Sequence, residues 1–264
     1  SVTALPDGRM VATGNSGLLL TAKDAVSGFV DLGAAVTGAA LYDADSDGAA
    51  GGFWAVGEGG VAVHVAASGG MDVMVPAEAG GKALRGVANA GKSGVIAVGD
   101  VGVAVVWDGA KWSAENTGVQ HNLRGIAAAG DDAWAVGELG TILRRKDGKW
   151  SKESAGELTN LHRIVAWGDG EAAAVGDNGV VLIRSAAGKW TKAFEKPALF
   201  LYGVDRSTDG TVIAVGWKGT CVVGKDGKFE VVESELPNVL RGVAVSAGGS
   251  VAVGHKGGIY QIAL

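Results

Sequence analysis

Three stretches of this chain combine residue types and spacings that chemistry could use. In Tyr42-Asp-Ala-Asp-Ser-Asp-Gly48 the carboxylates of Asp43, Asp45 and Asp47 fall at alternate positions before a glycine. Calcium takes several hard oxygens converged by a sharp turn, so this stretch reads as a candidate calcium loop in a turn between two strands. The competing reading is a solvated acidic turn: the ninth and twelfth positions are Gly51 and Trp54, not late carboxylates, and Asp169-Gly170 and Asp209-Gly210 stand at corresponding places. Gly86 to Ser93, GVANAGKS, satisfies the phosphate-loop pattern letter for letter. That loop requires a helix whose N-terminal amides meet the phosphates, whereas Gly-Val-Ile-Ala-Val follows here and predicts a strand. Finally, His64, His121, His162 and His255 stand singly without metal-hydrolase spacing, and Cys221 has no partner for a disulfide or a thiolate zinc site.

The elements that hold these residues follow from a repeat. VATGNSG, WAVGEGG, IAVGDVG, WAVGELG, AAVGDNG, IAVGWKG and VAVGHKG place their first glycines at 14, 57, 99, 137, 176, 216 and 254, in steps of 43, 42, 38, 39, 40 and 38. A period near forty built of short apolar runs between glycine turns predicts an all-β, seven-bladed β-propeller of about 40-residue four-stranded repeats, a single domain over 1–264. In the copy from Asn160 to Ala193, LHRIVAW, EAAAVG, GVVLIRS and KWTKAF read as strands A to D. Seven A–B–C cores are present but only six D strands, so the last blade lacks its own outer strand unless the N-terminus or other residues supply one. An uncovered edge of that kind invites pairing with another chain. Trp54 and Trp134 on B strands, with Trp112, Trp150 and Trp190 on D strands, recur in register as packing residues, and Cys221 is expected between blades.

The pattern LRGV…WAVGxxGTIL…DGKW resembles the β-propellers of the photosystem II assembly and stability factor family and, more distantly, the BNR/Asp-box repeats of sialidases. The Asp-box is degenerate here: Asp147-Gly-Lys-Trp150 and Asp226-Gly-Lys-Phe229 are shortened, and Ser185 to Trp190 lacks the Asp. The resemblance implies protein docking or assembly, not catalysis.

Alternating strand direction puts the start of strand A and the B–C turn at one end, the top. Arg85, Arg124, His162, Tyr202 and Arg241 then form a rim near the axis, facing Asp100, Glu138, Asp177, Trp217 and His255. Such pairs are structural on the plainest reading, each contributing about 0–1 kcal/mol where exposed. Blades six and seven break the acidic pattern: Phe200, Tyr202, Trp217, Lys218, Arg241, His255 and Lys256 join aromatic rings to cations, as a recognition site for protein or glycan would.

Composition narrows the function classes. A net charge of −5 argues against sequence-independent nucleic-acid binding, and there is no apolar run long enough to span a membrane. A first residue of Ser suggests a processed N-terminus, and export to the periplasm or cell exterior is expected if a signal was removed; the compartment is otherwise open. The expected function is a non-enzymatic propeller that binds another protein through its top face and channel mouth. A carbohydrate-binding propeller is the alternative, and a sialidase-like glycosidase a distant third: the rim arginines and Tyr202 are a loose parallel to its site, but there is no FRIP-type motif and seven blades stand against the sialidases' six. Calcium is the one cofactor indicated.

Overall fold

The computed structural model describes residues 1–32, 37–48, 51–232 and 238–262. Seven antiparallel sheets, in which consecutive strands pair in chain order, account for them: six have four strands and the last has three. The A strands, Val2–Ala4, Leu41–Ser46, Leu84–Asn89, Leu123–Ala129, Leu161–Trp167, Leu201–Arg206 and Leu240–Ser246, contact one another in sequence. The seventh meets the first, which closes the ring. Closure is by packing of Ala244, Val251 and Val253 on Val2, Met10 and Ala12, with no strand of blade one lent to blade seven. Helical structure among the described residues is confined to single 3-10 turns, and no helix is long and apolar enough to cross a membrane.

The composition of each strand follows its layer. The B strands are sandwiched by neighbours on both faces, so they read as continuous apolar runs such as Val95–Gly99, buried throughout. The leucine opening strand A, at 41, 84, 123, 161, 201 and 240, is buried in every copy. Burying such a side chain contributes roughly 1.5–3 kcal/mol. The D strands form the rim and are the most exposed, and Lys228–Val232 alternates between half-buried and exposed residues. Cys221 is enclosed between Val215 of its own blade and Leu240 and Val243 of the next, and burial pushes its thiol up to about 11.

Charge also locks neighbouring blades. Arg145 and Trp150 of blade four both donate to Glu115 of blade three (2.7 and 2.8 Å from Arg145, 2.8 Å from the indole). Arg184 and Trp190 of blade five repeat this on Glu153 of blade four. At the next interface the three positions are Phe194, Gly224 and Phe229, and ring contact between Phe194 and Phe229 replaces the clamp.

The first glycine of the WAVG motif is not a turn residue. At Gly57, Gly99, Gly137, Gly176 and Gly216 the backbone passes so close to the carbonyl preceding strand A that a Cβ would lie about 2 Å from that oxygen. The residue after each glycine donates its N–H to the same carbonyl, as Asp100 does to Ala83 and Trp217 to Phe200. This pinned crossing leaves one extra residue in strand A. Ladder register slips past Tyr42, Arg85, Arg124, His162, Tyr202 and Arg241, one bulge in each of six blades.

Candidate functional site

A β-bulge re-aims the residue it releases. All six bulged residues turn to the top of the channel and line a funnel of about 940 Å³. Five belong to the rim expected from sequence; Tyr42 is the sixth, and the guanidinium of Arg85 lies 5.2 Å from its ring centroid. Three expected pairs form: Arg85 grips Asp100 with two hydrogen bonds, one at 3.0 Å, Arg124 Nη2 donates to Glu138 Oε1 (2.9 Å), and His162 Nε2 reaches Asp177 Oδ1 (2.6 Å). Hydrogen bonding to Asp100 raises the Arg85 pKa. Burial alone would raise that of Glu138, but its bonds to Arg124 and Asn122 outweigh this and lower it.

The rim is continuous between blades as well. Arg124 Nη1 donates to His162 Nδ1 (3.2 Å), and because guanidinium has no acceptor, His162 carries its proton on Nε2. Burial lowers the His162 pKa despite Asp177, so the ring is neutral with both nitrogens occupied. Tyr202 meets His162 edge-on at 5.2 Å and lies under the Arg241 guanidinium at 4.5 Å. Arg241 in turn donates to His255 Nε2 (3.1 Å). Tyr202 therefore spends its ring on the two neighbouring rim residues and not on Trp217 as alternation suggested, because the bulge rotates it toward the axis.

The expected recognition sector divides in two. Tyr202, Arg241, His255 and Lys256 line the funnel with Arg85, Arg124 and His162. Phe200, Trp217 and Lys218 are not among its lining residues; Phe200 and Trp217 are exposed on the outer top surface, joined by the Trp217 N–H to Phe200 carbonyl bond. Missed from sequence were the tips beside them. Each B–C turn holds its middle residue in the left-handed region: Ser16, Gly59, Val101, Leu139, Asn178, Lys218 and Lys256. For β-branched Val101 (φ 57°) and for Leu139 (φ 53°) this costs about 1–2 kcal/mol, and both are more than half exposed. Of the thirteen exposed large apolar side chains among the described residues, ten sit in B–C turns, at the starts of C strands, at the end of a D strand or in D–A links: Leu18, Leu32, Val75, Val101, Leu139, Leu158, Phe200, Trp217, Val232 and Ile259. Those are the segments that make up the top.

The funnel has a floor. At the third position of strand A five blades have glycine or Ser1, which keep the inner wall tight; blades two and five have Asp43 and Arg163. Arg163 Nη2 donates across the axis to Asp43 Oδ1 (2.5 Å), and Asp43 also accepts from the Val87 N–H and Ser1 Oγ (3.1 Å each). Burial opposes the Arg163 charge, but Asp43, then Asp45 and Asp205, outweigh it and raise its pKa. Arg163 lines both the funnel and a second cavity of about 200 Å³ below it, so this pair partitions the channel. Asp45 and Asp205 face the lower cavity, where desolvation pushes each up to about 6.

These placements bear on calcium. Strand A of blade two runs Leu41–Ser46, so Asp43 and Asp45 lie in a strand and not in the expected turn. Asp45 accepts from the Asn89 and Ser46 N–H groups, and Asp47 bonds His64 Nε2 (2.9 Å). The three carboxylates thus aim at different partners, and among the described residues no cluster could hold a metal, so the residues present do not fit the ion. The phosphate-loop look-alike is the end of strand A, a 3-10 turn at Gly91–Ser93 and strand B, with no helix. The Asp-box remnants are two-residue hairpin turns with both central residues at positive φ, Asp147-Gly148 and Asp226-Gly227.

No protein-family model matches the sequence, and neither does any curated protein. Solved structures do match. YCF48 bound to a D1 peptide superposes with TM-score 0.75 and 13% identity over 100% of this chain and 91% of that one. A streptogramin B lyase gives 0.77 and 14% over 96% and 89%, and the WD40 propeller domain of Doa1 0.77 and 14% over 98% and 90%. At such identities the likeness shows the seven-bladed fold, shared by one propeller solved with a bound peptide and by another that is a lyase. The resemblance of the repeat pattern to the photosystem II assembly factors is carried at that level, that of the fold alone.

Proposed function

We propose that this protein is a non-enzymatic docking scaffold whose top face and funnel mouth bind a segment of another protein. The carrying observation is the concentration of exposed apolar side chains at the top, including strained Val101 and Leu139, around a funnel lined by Arg85, Arg124 and Arg241. Backbone strain kept at an exposed tip is characteristic of binding surfaces, and an apolar rim around a polar centre suits a peptide-bearing partner. That a structural neighbour is a propeller bound to a peptide agrees with the reading.

Catalysis is disfavoured by the chemistry of the funnel. His162, its best-placed base, has one nitrogen engaged by Arg124 and the other by Asp177, which leaves no lone pair to take a proton. A lectin would repeat one pocket in every blade, whereas the six bulged positions hold three arginines, two tyrosines and one histidine, with acidic partners in only three blades. Selection of a random peptide library on the purified protein tests the proposal. Selected peptides should lose at least about tenfold in affinity to Leu139→Asp and Trp217→Asp, and none to Lys92→Glu on the opposite end. Peptides indifferent to both top-face changes would overturn it.

A further inference from the structure

The top does not account for every exposed apolar side chain. Val30 and Val73 lie on the rim, 66% and 48% exposed, and both turn toward the groove between the outer strands of blades one and two. Val30 stands opposite Thr21, on the same face of blade one as Leu19, and Val73 stands opposite Val63. Leu19 and Val63 belong to the core that the two blades share.

The other blades show what normally occupies this groove. At the place of Val30 the remaining outer strands carry Asp72, Ser113, Ser151, Thr191 and Glu230, all polar. At the place of Val73, blades four and five carry Lys152 and Lys192. Leu32 replaces the glutamate that the inter-blade clamps engage, Glu115 or Glu153, and is itself exposed. The groove between blades one and two is therefore apolar where its counterparts are polar.

The strand edges beside it differ as well. Lysine stands in or next to the outer strands of blades three to six, at Lys111, Lys149, Lys192 and Lys228, where it deters pairing with another chain. The outer strands of blades one and two, Val30–Asp31 and Met71–Met74, hold aspartate as their sole charge. Along Met71–Met74 the side chains alternate: Met71 and Val73 turn to the groove, Asp72 and Met74 toward blade three. A strand laid along this edge would meet an apolar row on one face and a carboxylate on the other.

We propose that the outer edge of Met71–Met74 takes an extended segment of a partner protein as a fifth strand of blade two. In that segment apolar side chains facing Val73 and Val30 alternate with lysines or arginines beside Asp72. Main-chain hydrogen bonds supply the pairing, and the alternation supplies the selectivity. A second copy of this chain is the poorer occupant, because pairing two such edges brings Asp72 of each copy onto adjoining strands, where like charges are destabilising. Asp31 and Asp72 likewise disfavour an anionic lipid surface. The site lies on the rim and is independent of the top-face reading.

The probe is a pool of synthetic decapeptides with lysine at every second position and random apolar residues between, set against a control pool with glutamate in place of lysine. The purified protein should retain members of the lysine pool alone. A retained peptide should give saturable 1:1 binding by fluorescence anisotropy, with hydrogen-exchange protection gained at 71–74. Val73→Asp and Asp72→Lys should each weaken it at least about tenfold, whereas Leu139→Asp on the top should not. Equal retention of the two pools, no saturable binding, affinity indifferent to Asp72→Lys, or protection elsewhere would overturn the proposal. A concentration-dependent dimer with 71–74 already protected would overturn it too. If Val73→Asp fails to fold, Asp72→Lys, a change at an exposed side chain, still decides.

Discussion

Replacing Arg163 by Met should remove the channel partition at a cost that the structure sets. Asp43 has 1% of its side chain exposed, and among the described residues Arg163 supplies its one side-chain ion pair. Breaking a buried pair by deleting one partner typically costs 3–5 kcal/mol, because the other charge is left uncompensated. Asp43 keeps the Val87 N–H and Ser1 hydroxyl, so the lower part of that range, about 3 kcal/mol at pH 7, is expected. Asp43→Asn combined with Arg163→Met should recover at least half of the deficit. Urea denaturation followed by fluorescence of the buried Trp54 and Trp134 reads these stabilities. A single variant within about 1 kcal/mol of the native protein at pH 7, or a double variant that recovers nothing, would refute the assignment of this pair as a buried, charged bolt.

Three further outcomes follow. Asp45 and Asp205 have folded pKa values near 6 against 3.8 unfolded, so the folded protein holds their protons more tightly. Their penalty is absent below about 4 and complete above about 6, and stability should fall as pH rises through that window, by at most about 3 kcal/mol per group and less where channel water screens them. Melting temperatures from pH 4.5 to 7.5 check this, and Asp205→Asn should flatten the profile. Leu139→Asn, which copies Asn178 of the next blade at the same left-handed position, should raise stability by about 0.5–1 kcal/mol while weakening a top-face ligand; a stability loss would show that Leu139 is not strained. Glu153→Ala strands buried Arg184 and the Trp190 indole and should cost about 3–5 kcal/mol, more than Glu195→Ala at the exposed rim by an amount urea midpoints resolve.

The repeat was legible because each blade must bury two faces, which forces the same apolar run into all seven copies, with a close-approach glycine at the end of that run in five of them. Strand order, blade count and the missing outer strand follow from that alone. Five of the six funnel residues were legible for the same reason, since strand alternation fixes which end a residue occupies. Tyr42 was passed over because it stands next to the Asp43-Asp45-Asp47 stretch, whose local spacing suggested a loop ligand set. Two of those carboxylates serve the channel instead, and the partner of Asp43 lies in Arg163, 120 residues away, where no local pattern points. A signal was present: Asp43 and Arg163 are the charged exceptions at a position that is glycine in four other blades. The left-handed tips were hidden because backbone conformation at Val101 and Leu139 contradicts their side-chain preference. The inter-blade clamp was hidden because its glutamate and its arginine belong to different repeats.

The central claim is that the top face is the docking surface, and hydrogen exchange with and without a selected peptide ligand tests it most directly. Protection confined to the B–C turns around 100–102, 138–140 and 217–219 and to the adjoining D–A links is the predicted result. Protection confined to the A–B and C–D turns at the opposite end, with the top unchanged, would contradict it.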